Sequence, residues 1–558
     1  MINYIKIFTF LAAIIIADIL YAQKISTSLS QSVIDDFIQT TGQKEDSLTV
    51  IPVLSLDKDT LAYIYNFNSA FIVVGNYYDF APVKAFSLNH SFRSNSSETN
   101  SQIDLKYLLT EDYRLQNKNR KVLKMKNEKV RKSWDKHRFY SSIKNSMQYG
   151  PLLNSEYGQV NCKNENGNTI NVTNLFTPNN YAAGCVAICF TAAMRYYEWP
   201  RKGKNSHTYS DNYGSSNGTY SVNFEDNYYN WSLIRDKYQN MQSSLMEREE
   251  LGRLTFHAAV AIDMDFEYNG STSNVNRIPS AATNYFRYTA EFAESDSYNF
   301  WPDLDTNMVL GYPVQLSIYS TNGAGHAIVC DGFIDGTSKY YHLNMGWWGD
   351  DNAWYLLQNS WNAGGYSILS GMVYNLWPVP EMDDIDIDFE NNTLDINWFY
   401  SRQIIPEAYE LQSKSLAGEW ESLSTDLHDT HFQFQYAEDE TYSFRVRAKN
   451  MGKWKNNGWS NSSTIIISEQ IEENGSSNLF LYPVIALDNI LIKYKNLAGA
   501  NIRIFGTDSR LVYEGNLPDD NGTFIEHSLN VTNYNRGLYF VEIKVDNMKK
   551  TLHFIKSN

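Results

Sequence analysis

This 558-residue chain is short of cysteine, of basic charge and of long apolar runs, and each shortage removes a class of function. Its 4 cysteines, Cys162, Cys185, Cys189 and Cys330, are too sparse for a disulfide scaffold, and no C-x-x-C pair exists to make a redox motif or a zinc ribbon. Their pairing is left open by the sequence. A formal charge of −16, from 47 Lys and Arg against 63 Asp and Glu, argues against nucleic acid as a partner, because neutralising phosphates needs clustered basic side chains. H-E-x-x-H, Walker and G-x-S-x-G motifs are all missing, which leaves metalloprotease, nucleotide and serine-hydrolase readings without local support. Gly349-Asp350-Asp351-Asn352 lacks the carboxylate spacing of a calcium loop and reads as a turn, so neither a cofactor nor a metal is indicated.

The one sustained apolar run lies inside residues 1–23, where Lys6 precedes Leu11-Ala12-Ala13-Ile14-Ile15-Ile16 and the small-residue stretch Tyr21-Ala22-Gln23 follows. That order is expected of a signal peptide. A membrane anchor fits less well because Asp18 interrupts the run, and no later segment is apolar enough to span a membrane.

Residues 24–148 hold β-like runs, Leu61–Tyr65, Ala70–Gly75 and Pro82–Ser87, consistent with a small α/β or α+β unit. They end in a basic stretch, Asn117–Arg138, that reads either as a solvated helix face or as a proteolytically accessible connector. Residues 149–379 suit one domain with a sizeable core. After Pro378-Val379-Pro380 the pattern turns to alternating strands, with Thr393–Trp398, Tyr409–Gln412, Tyr442–Ala448 and Gly458–Ser460 predicting a β-sandwich over 380–470. That stretch resembles a fibronectin type III domain, in which an early-strand Trp packs under a Tyr beginning the sixth strand; any immunoglobulin-like sandwich would share the pattern. A last β-rich stretch, 478–558, contains Leu481-Tyr482-Pro483, Asn501–Phe505, Arg536–Ile543 and Phe554-Ile555-Lys556. It resembles the C-terminal sorting domain of type IX secretion, against the alternative of a second sandwich without an address function.

Chemistry concentrates in 149–379. Gly184 precedes Cys185-Val186-Ala187-Ile188-Cys189-Phe190-Thr191-Ala192-Ala193-Met194, a run that predicts a buried helix with Cys185 at its N-terminus. There, free backbone amides and the positive end of the helix dipole favour a thiolate. A cysteine alone is most simply a small buried hydrophobe, so the reading needs a base. His326 supplies one, in the Gly-rich segment Asn322-Gly323-Ala324-Gly325-His326 that enters a β-branched strand, where Gly325 permits close substrate approach. In Tyr340-Tyr341-His342-Leu343-Asn344-Met345-Gly346-Trp347-Trp348-Gly349, Asn344 is placed to accept the imidazole N–H. His342 shares a strand face with Asn344 and is a rival base, with a structural role preferred. Upstream, the Gln159 amide and the Cys185 N–H would make an oxyanion hole.

The order Gln, Cys, His, Asn is papain-like, and the residues resemble the streptopain family of bacterial cysteine peptidases over about Pro151 to Pro378. The matching motifs include Gln159 with Asn161, Asn174–Pro178, Gly184–Ala187, Tyr229-Asn230-Trp231, Asp263-Met264-Asp265, Gly325-His326-Ala327 with Asp331-Gly332, and His342–Asn344 with Gly346-Trp347. Residues Ala70–Phe92 resemble that family's inhibitory propeptide. The resemblance implies a multidomain chain: an α+β papain-like catalytic domain, preceded by an α/β propeptide and followed by two all-β sandwich domains. It implies a zymogen with protein or peptide substrates, Cys185 as nucleophile, His326 as base and acid, Gln159 as oxyanion donor, Asn344 as orienter and Trp347 lining the site. Further partners would be the propeptide as inhibitor and a secretion machinery, with the product secreted or attached to a bacterial surface. Met345 stands where the family has Trp, which motivates a competing expectation, a non-catalytic surface binding protein on a peptidase scaffold.

Overall fold

The computed structural model describes residues 24–92 apart from 45–47, 55–57 and 79; Trp134; 146–357 apart from 213, 215, 269, 320–324 and 337; and 368–556 apart from 389–390, 416–417, 438–440, 456–457, 467–478, 483–484, 487–488, 496, 498, 508 and 546–547. The expected signal peptide, nearly all of the basic connector, Asn322–Ala324 and Pro483 lie outside the described residues. The chain divides into two compact units, one running to Pro378 with Ser401–Ile404 added, the other Val379–Tyr400 with Ile405 onward.

The first unit is built on an 11-stranded antiparallel sheet. Its strands are β1 (Thr49–Leu54), β2 (Thr60–Asn66), β3 (Phe71–Gly75), β4 (Val83–Ser87), β5 (Met147–Tyr149), β6 (Tyr288–Glu294), β7 (Val314–Tyr319), β8 (Gly325–Asp335), β9 (Tyr340–Asn344), β10 (Ala353–Tyr355) and β11 (Ile368–Pro378). They lie in the order β1-β2-β3-β4-β10-β9-β8-β7-β11-β6, with β5 on the end of β8. The N-terminal segment is therefore no separate unit, because its four strands continue the sheet that carries His326. At the junction Phe86 faces Trp354 and Ala85 faces Tyr355, and Leu356 N–H donates to the Lys84 carbonyl at 3.1 Å. Strands β3 and β4 are buried along their whole length, which accounts for near-continuous runs such as Phe71-Ile72-Val73-Val74.

Helix α1 (Thr27–Thr41), capped by Ser26 and ended by a left-handed Gly42, lays Val33, Ile34 and Phe37 on one face of β3 and β4, beside Trp354 and Tyr340. Helix α5 (Phe300–Val309) packs on β7, β8 and β11, with Phe300, Leu304 and Met308 in the core. Helix α2 (Cys185–Tyr197) is apolar almost all round and packs against both α3 (Leu245–Ala261) and β8. A capping box between Ser244 and Glu247 starts α3, and α4 (Ile278–Tyr285) follows it.

In the second unit, residues 381–466 form a sandwich of two sheets. One holds Glu381–Asp388, Thr393–Phe399 and His431–Gln435; the other holds Ala408–Ser415, Glu421–Leu427, Thr441–Asn450, Lys453–Trp454 and Ser463–Ile466. Leu394, Ile396, Trp398, Leu411, Phe444 and Val446 fill its core. Two expectations are corrected here. Trp398 meets Tyr409 edge-on at 5.5 Å, while Tyr442 packs on Phe434 and Phe444. Gly458–Ser460 is not a strand: Trp459 covers the outward-facing Arg445 and Arg447 at 4.2 and 4.4 Å, a cation–π arrangement that strand alternation makes possible. Residues 479–556 form another two-sheet β-domain, closed by the parallel pairing of Ile485 with Ile555 and built around Ile490, Ile492, Ile502, Val541 and Phe554.

Candidate active site

Cys185 opens α2, and the residue before it is made unusual by packing. Gly184 has φ 86° and ψ 138°, a combination that a side chain disfavours, and a Cβ there would lie 2.6 Å from the Met264 sulfur. With glycine at the N-cap no side chain caps the helix, so the first-turn amides are left facing the sulfur. Burial pushes the Cys185 thiol up, opposed by backbone hydrogen bonds from Ala327, Val186 and its own amide. The contact with Ala327 sets the sulfur beside β8 at the residue next to His326.

His326 is 8% exposed and stands second on β8, opposite Ile318 of β7. Its Nε2 lies 2.9 Å from the Met345 carbonyl oxygen. A carbonyl only accepts, so a neutral ring keeps its proton on Nε2 and its lone pair on Nδ1, the form a base requires. Trp347 stacks on the ring with centroids 5.0 Å apart and planes 20° from parallel. Burial draws the imidazole down to about 4, with the Met345 hydrogen bond acting in the opposite direction. Among the described residues the Trp347 indole N–H has no hydrogen-bond partner.

The expected role of Asn344 is corrected. Its Nδ2 donates to the Ser155 carbonyl at 2.8 Å and its Oδ1 accepts the Gly346 N–H at 3.1 Å, so the acceptor for His326 is the next residue's carbonyl. Asn344 ends β9 and is 5% exposed, and its side chain is drawn into satisfying buried backbone groups where the strand gives way to a turn. Met345 itself is 1% exposed, within the core beside Tyr355 and Leu357. Sequence reasoning missed its role because a main-chain acceptor leaves no residue-type signal.

Gln159 is half-buried, and its carbonyl accepts the Ala183 N–H at 2.8 Å, which ties it to the segment leading into Cys185. The turn bearing it is locked to the Trp-bearing turn: Gly158 bridges to Trp347, Trp348 N–H donates to the Tyr157 carbonyl at 3.2 Å, and a Cβ on Gly158 would fall inside the Trp348 indole. Gly325 is exposed at the start of β8, facing Tyr319. The structure thus gathers Gln159, Cys185, His326, Trp347 and Gly325 around the ends of α2, β8 and β9.

The remaining candidates lie elsewhere. His342 Nδ1 is 2.6 Å from Oδ1 of Asp331, whose Oδ2 accepts the Leu153 N–H, and its ring meets Trp354 edge-on. Cys189 is buried one turn beyond Cys185, and Cys330 contacts the Met308 sulfur at 3.5 Å. Cys185, Cys189 and Cys330 are free thiols. Gly349–Asn352 is a turn, and among the described residues no group of three or more His, Cys, Asp and Glu converges to hold a metal. No helix among them is long and apolar enough to cross a membrane.

A profile of the peptidase C10 family matches residues 157–355, and one of the secretion system C-terminal sorting domain matches 480–557, which marks the chain for secretion and the cell surface. Streptopain of Streptococcus pyogenes is 26% identical over 223 residues, covering 36% of this chain and 54% of streptopain. The thiol protease/hemagglutinin PrtT of Porphyromonas gingivalis is 28% identical over 213 residues, 35% of this chain and 23% of its own length. The chain spans about half the length of the streptopain relatives it matches. Among solved structures, a fragment of Prevotella intermedia prointerpain A is similar at 18% identity and TM-score 0.40, covering 59% of this chain and 98% of that one. Active interpain A from the same organism is similar at 23% identity and TM-score 0.33, covering 40% and 94%.

Proposed function

From the match of residues 157–355 to the peptidase C10 family we propose that this chain is an exported cysteine endopeptidase, made as a zymogen whose N-terminal segment 24–148 is the propeptide. The observation that carries the reading is the Met345 carbonyl on His326 Nε2, which leaves Nδ1 as the base, with the Cys185 sulfur beside the neighbouring Ala327 amide.

The Cys185 thiol gives its proton to His326 Nδ1, and the sulfur adds to a peptide carbonyl. The resulting oxyanion is held by the Cys185 N–H and the Gln159 amide, in a site where one such donor contributes about 3 kcal/mol. The C–N bond breaks as the imidazolium returns the proton to the leaving amine. Water then attacks the thioester, its proton passing to His326 and back to the departing sulfur. Trp347 keeps bulk water from the imidazole, and Gly325 leaves room for substrate backbone. The imidazole N–H expected to meet Asn344 is served by a main-chain oxygen, which Met345 supplies as well as any residue; this favours the peptidase over a non-catalytic scaffold. The sandwich over 380–470 we assign as fibronectin type III-like, from its two antiparallel sheets.

Mass spectrometry of the propeptide-free protein treated with an epoxide inhibitor tests the reading. We expect a single adduct that Cys185→Ala abolishes, together with turnover of an unstructured protein substrate. A folded, propeptide-free sample that takes no adduct would turn the assignment to the binding-protein alternative.

A further inference from the structure

We propose that Asn352 is a positioning residue for His326, acting through the backbone of Met345; the inference rests on the peptidase reading. Strand β9 ends at Asn344, so the Met345 peptide groups lie beyond the ladder, and among the described residues no strand pairing includes Met345. They belong to a tightly folded turn in which Gly346, Trp348, Gly349 and Asp351 all have positive φ, at 70°, 56°, 88° and 63°. Such a backbone has no regular hydrogen-bond pattern to hold a carbonyl in one direction.

Two asparagine side chains replace the missing ladder. Asn344 Oδ1 accepts the Gly346 N–H, which is part of the same peptide group as the Met345 carbonyl. Asn352 Oδ1 accepts the Met345 N–H at 2.8 Å and so fixes the preceding peptide group. The assignment of oxygen here is forced, since a backbone N–H only donates. The two peptide planes flanking the Met345 Cα are each pinned by one amide, and rotating either swings the carbonyl away from His326 Nε2. Asn352 is 3% exposed and immediately precedes β10, while Tyr355 of β10 donates from its hydroxyl to the Asp351 carbonyl at 2.8 Å. Its side chain therefore projects from a fixed base into a dry site, where a lost acceptor is not replaced by water. Asn352 sits seven residues after Met345, a separation at which sequence pattern gives no hint of contact.

The test compares mature wild type with Asn352→Ala and Asn352→Asp, measuring kcat and KM on one peptide substrate and the pH dependence of epoxide inactivation at Cys185. For Asn352→Ala, kcat is expected to fall about 10- to 100-fold, the scale of a misplaced catalytic group, with KM within about twofold of wild type. The acid limb of inactivation, where His326 protonates, should move to lower pH, because the imidazolium loses an aligned acceptor. Asn352→Asp keeps an oxygen on the Met345 N–H, so it should regain most of kcat. It should also move the acid limb to higher pH, because a buried carboxylate favours the imidazolium. Asn352→Ala with kcat within twofold of wild type and an unmoved limb overturns the inference, as does Asn352→Asp slowed as much as Asn352→Ala. Should Asn352→Ala fail to fold, the Asn352→Asp limb decides: a shift to higher pH supports the role and an unmoved limb refutes it. Wild type that neither turns over peptide nor takes the epoxide would instead overturn the peptidase reading itself.

Discussion

Replacing Gly184 by Ala should damage the site from the residue beside the nucleophile, for two separable reasons. At φ 86° and ψ 138° a side chain carries backbone strain of about 1–3 kcal/mol. The new Cβ would also stand 2.6 Å from both Sδ and Cε of Met264 and 3.2 Å from the Ser271 carbonyl, overpacking that adds about 1–3 kcal/mol. Together they predict a loss of about 2–6 kcal/mol, relieved in part by pushing the start of α2 away from the loop holding Met264. Such a displacement moves the Cys185 sulfur relative to His326, and about 1 Å is enough for a rate loss near 100-fold. Denaturant unfolding in a Cys185→Ala background, which avoids self-digestion, measures the stability; epoxide inactivation in the wild-type background measures the site. Met264→Ala alone should cost about 2–5 kcal/mol as a buried cavity, but in combination with Gly184→Ala it removes the overpacking and leaves the strain. The double-mutant cycle is expected to show about 1–3 kcal/mol of favourable coupling. Zero coupling, or Gly184→Ala as stable as its parent, would refute this account of why glycine stands before the nucleophile.

Three further outcomes follow from the same geometry. His257 is buried against the Tyr229 hydroxyl at 3.0 Å and burial draws it down to about 3, while His326 is drawn to about 4. The unfolded chain binds these protons below about pH 6.5 and the folded chain does not, so stability falls as pH drops, by about 1.4 kcal/mol per unit for each group. Unfolding free energies measured between pH 7 and 5 should show this slope, and His257→Phe should remove about half of it; a flat profile contradicts the burial argument. Glu156 accepts from Lys237 at 2.6 Å and lies 3.2 Å from His90 Nε2. Burial pushes its carboxyl up, but those two partners outweigh it and hold it below the usual range, so Glu156→Gln should loosen the N-terminal segment. Conversion of Cys185→Ala precursor by added mature enzyme, followed on gels, should then run about tenfold faster, corresponding to roughly 1.4 kcal/mol from a charged hydrogen bond; equal rates would rule the contact out as a clasp. Trp347→Ala should cost about 3–5 kcal/mol and most activity, whereas Trp347→Phe, keeping a ring against His326, should retain the stability to within about 1.5 kcal/mol. Thermal melts and kcat read both.

Local residue patterns were enough to mark helix α2, several strands and the chemistry-bearing residue types. An apolar run after Gly184 makes α2 and puts Cys185 at its start; a β-branched run after His326 makes β8; alternation marks the two β-domains. Those signals are local, set by helix and strand periodicities and by the conformational demands of glycine. How those residues meet depends on long-range packing. Phe86 and Trp354 join two stretches of chain into one sheet, a pairing between edges more than 250 residues apart that neither strand announces. Met345 takes the role expected of Asn344 because the acceptor is a main-chain carbonyl, and every residue type carries one. His342 takes Asp331 as its partner through a shift in strand register between Cys330 and Gly332, which periodicity cannot foretell. Side-chain identity fixes which groups are available to react, whereas the directions of backbone carbonyls and amides, on which the imidazole's proton depends, exist only once the turn from Met345 to Asn352 has closed.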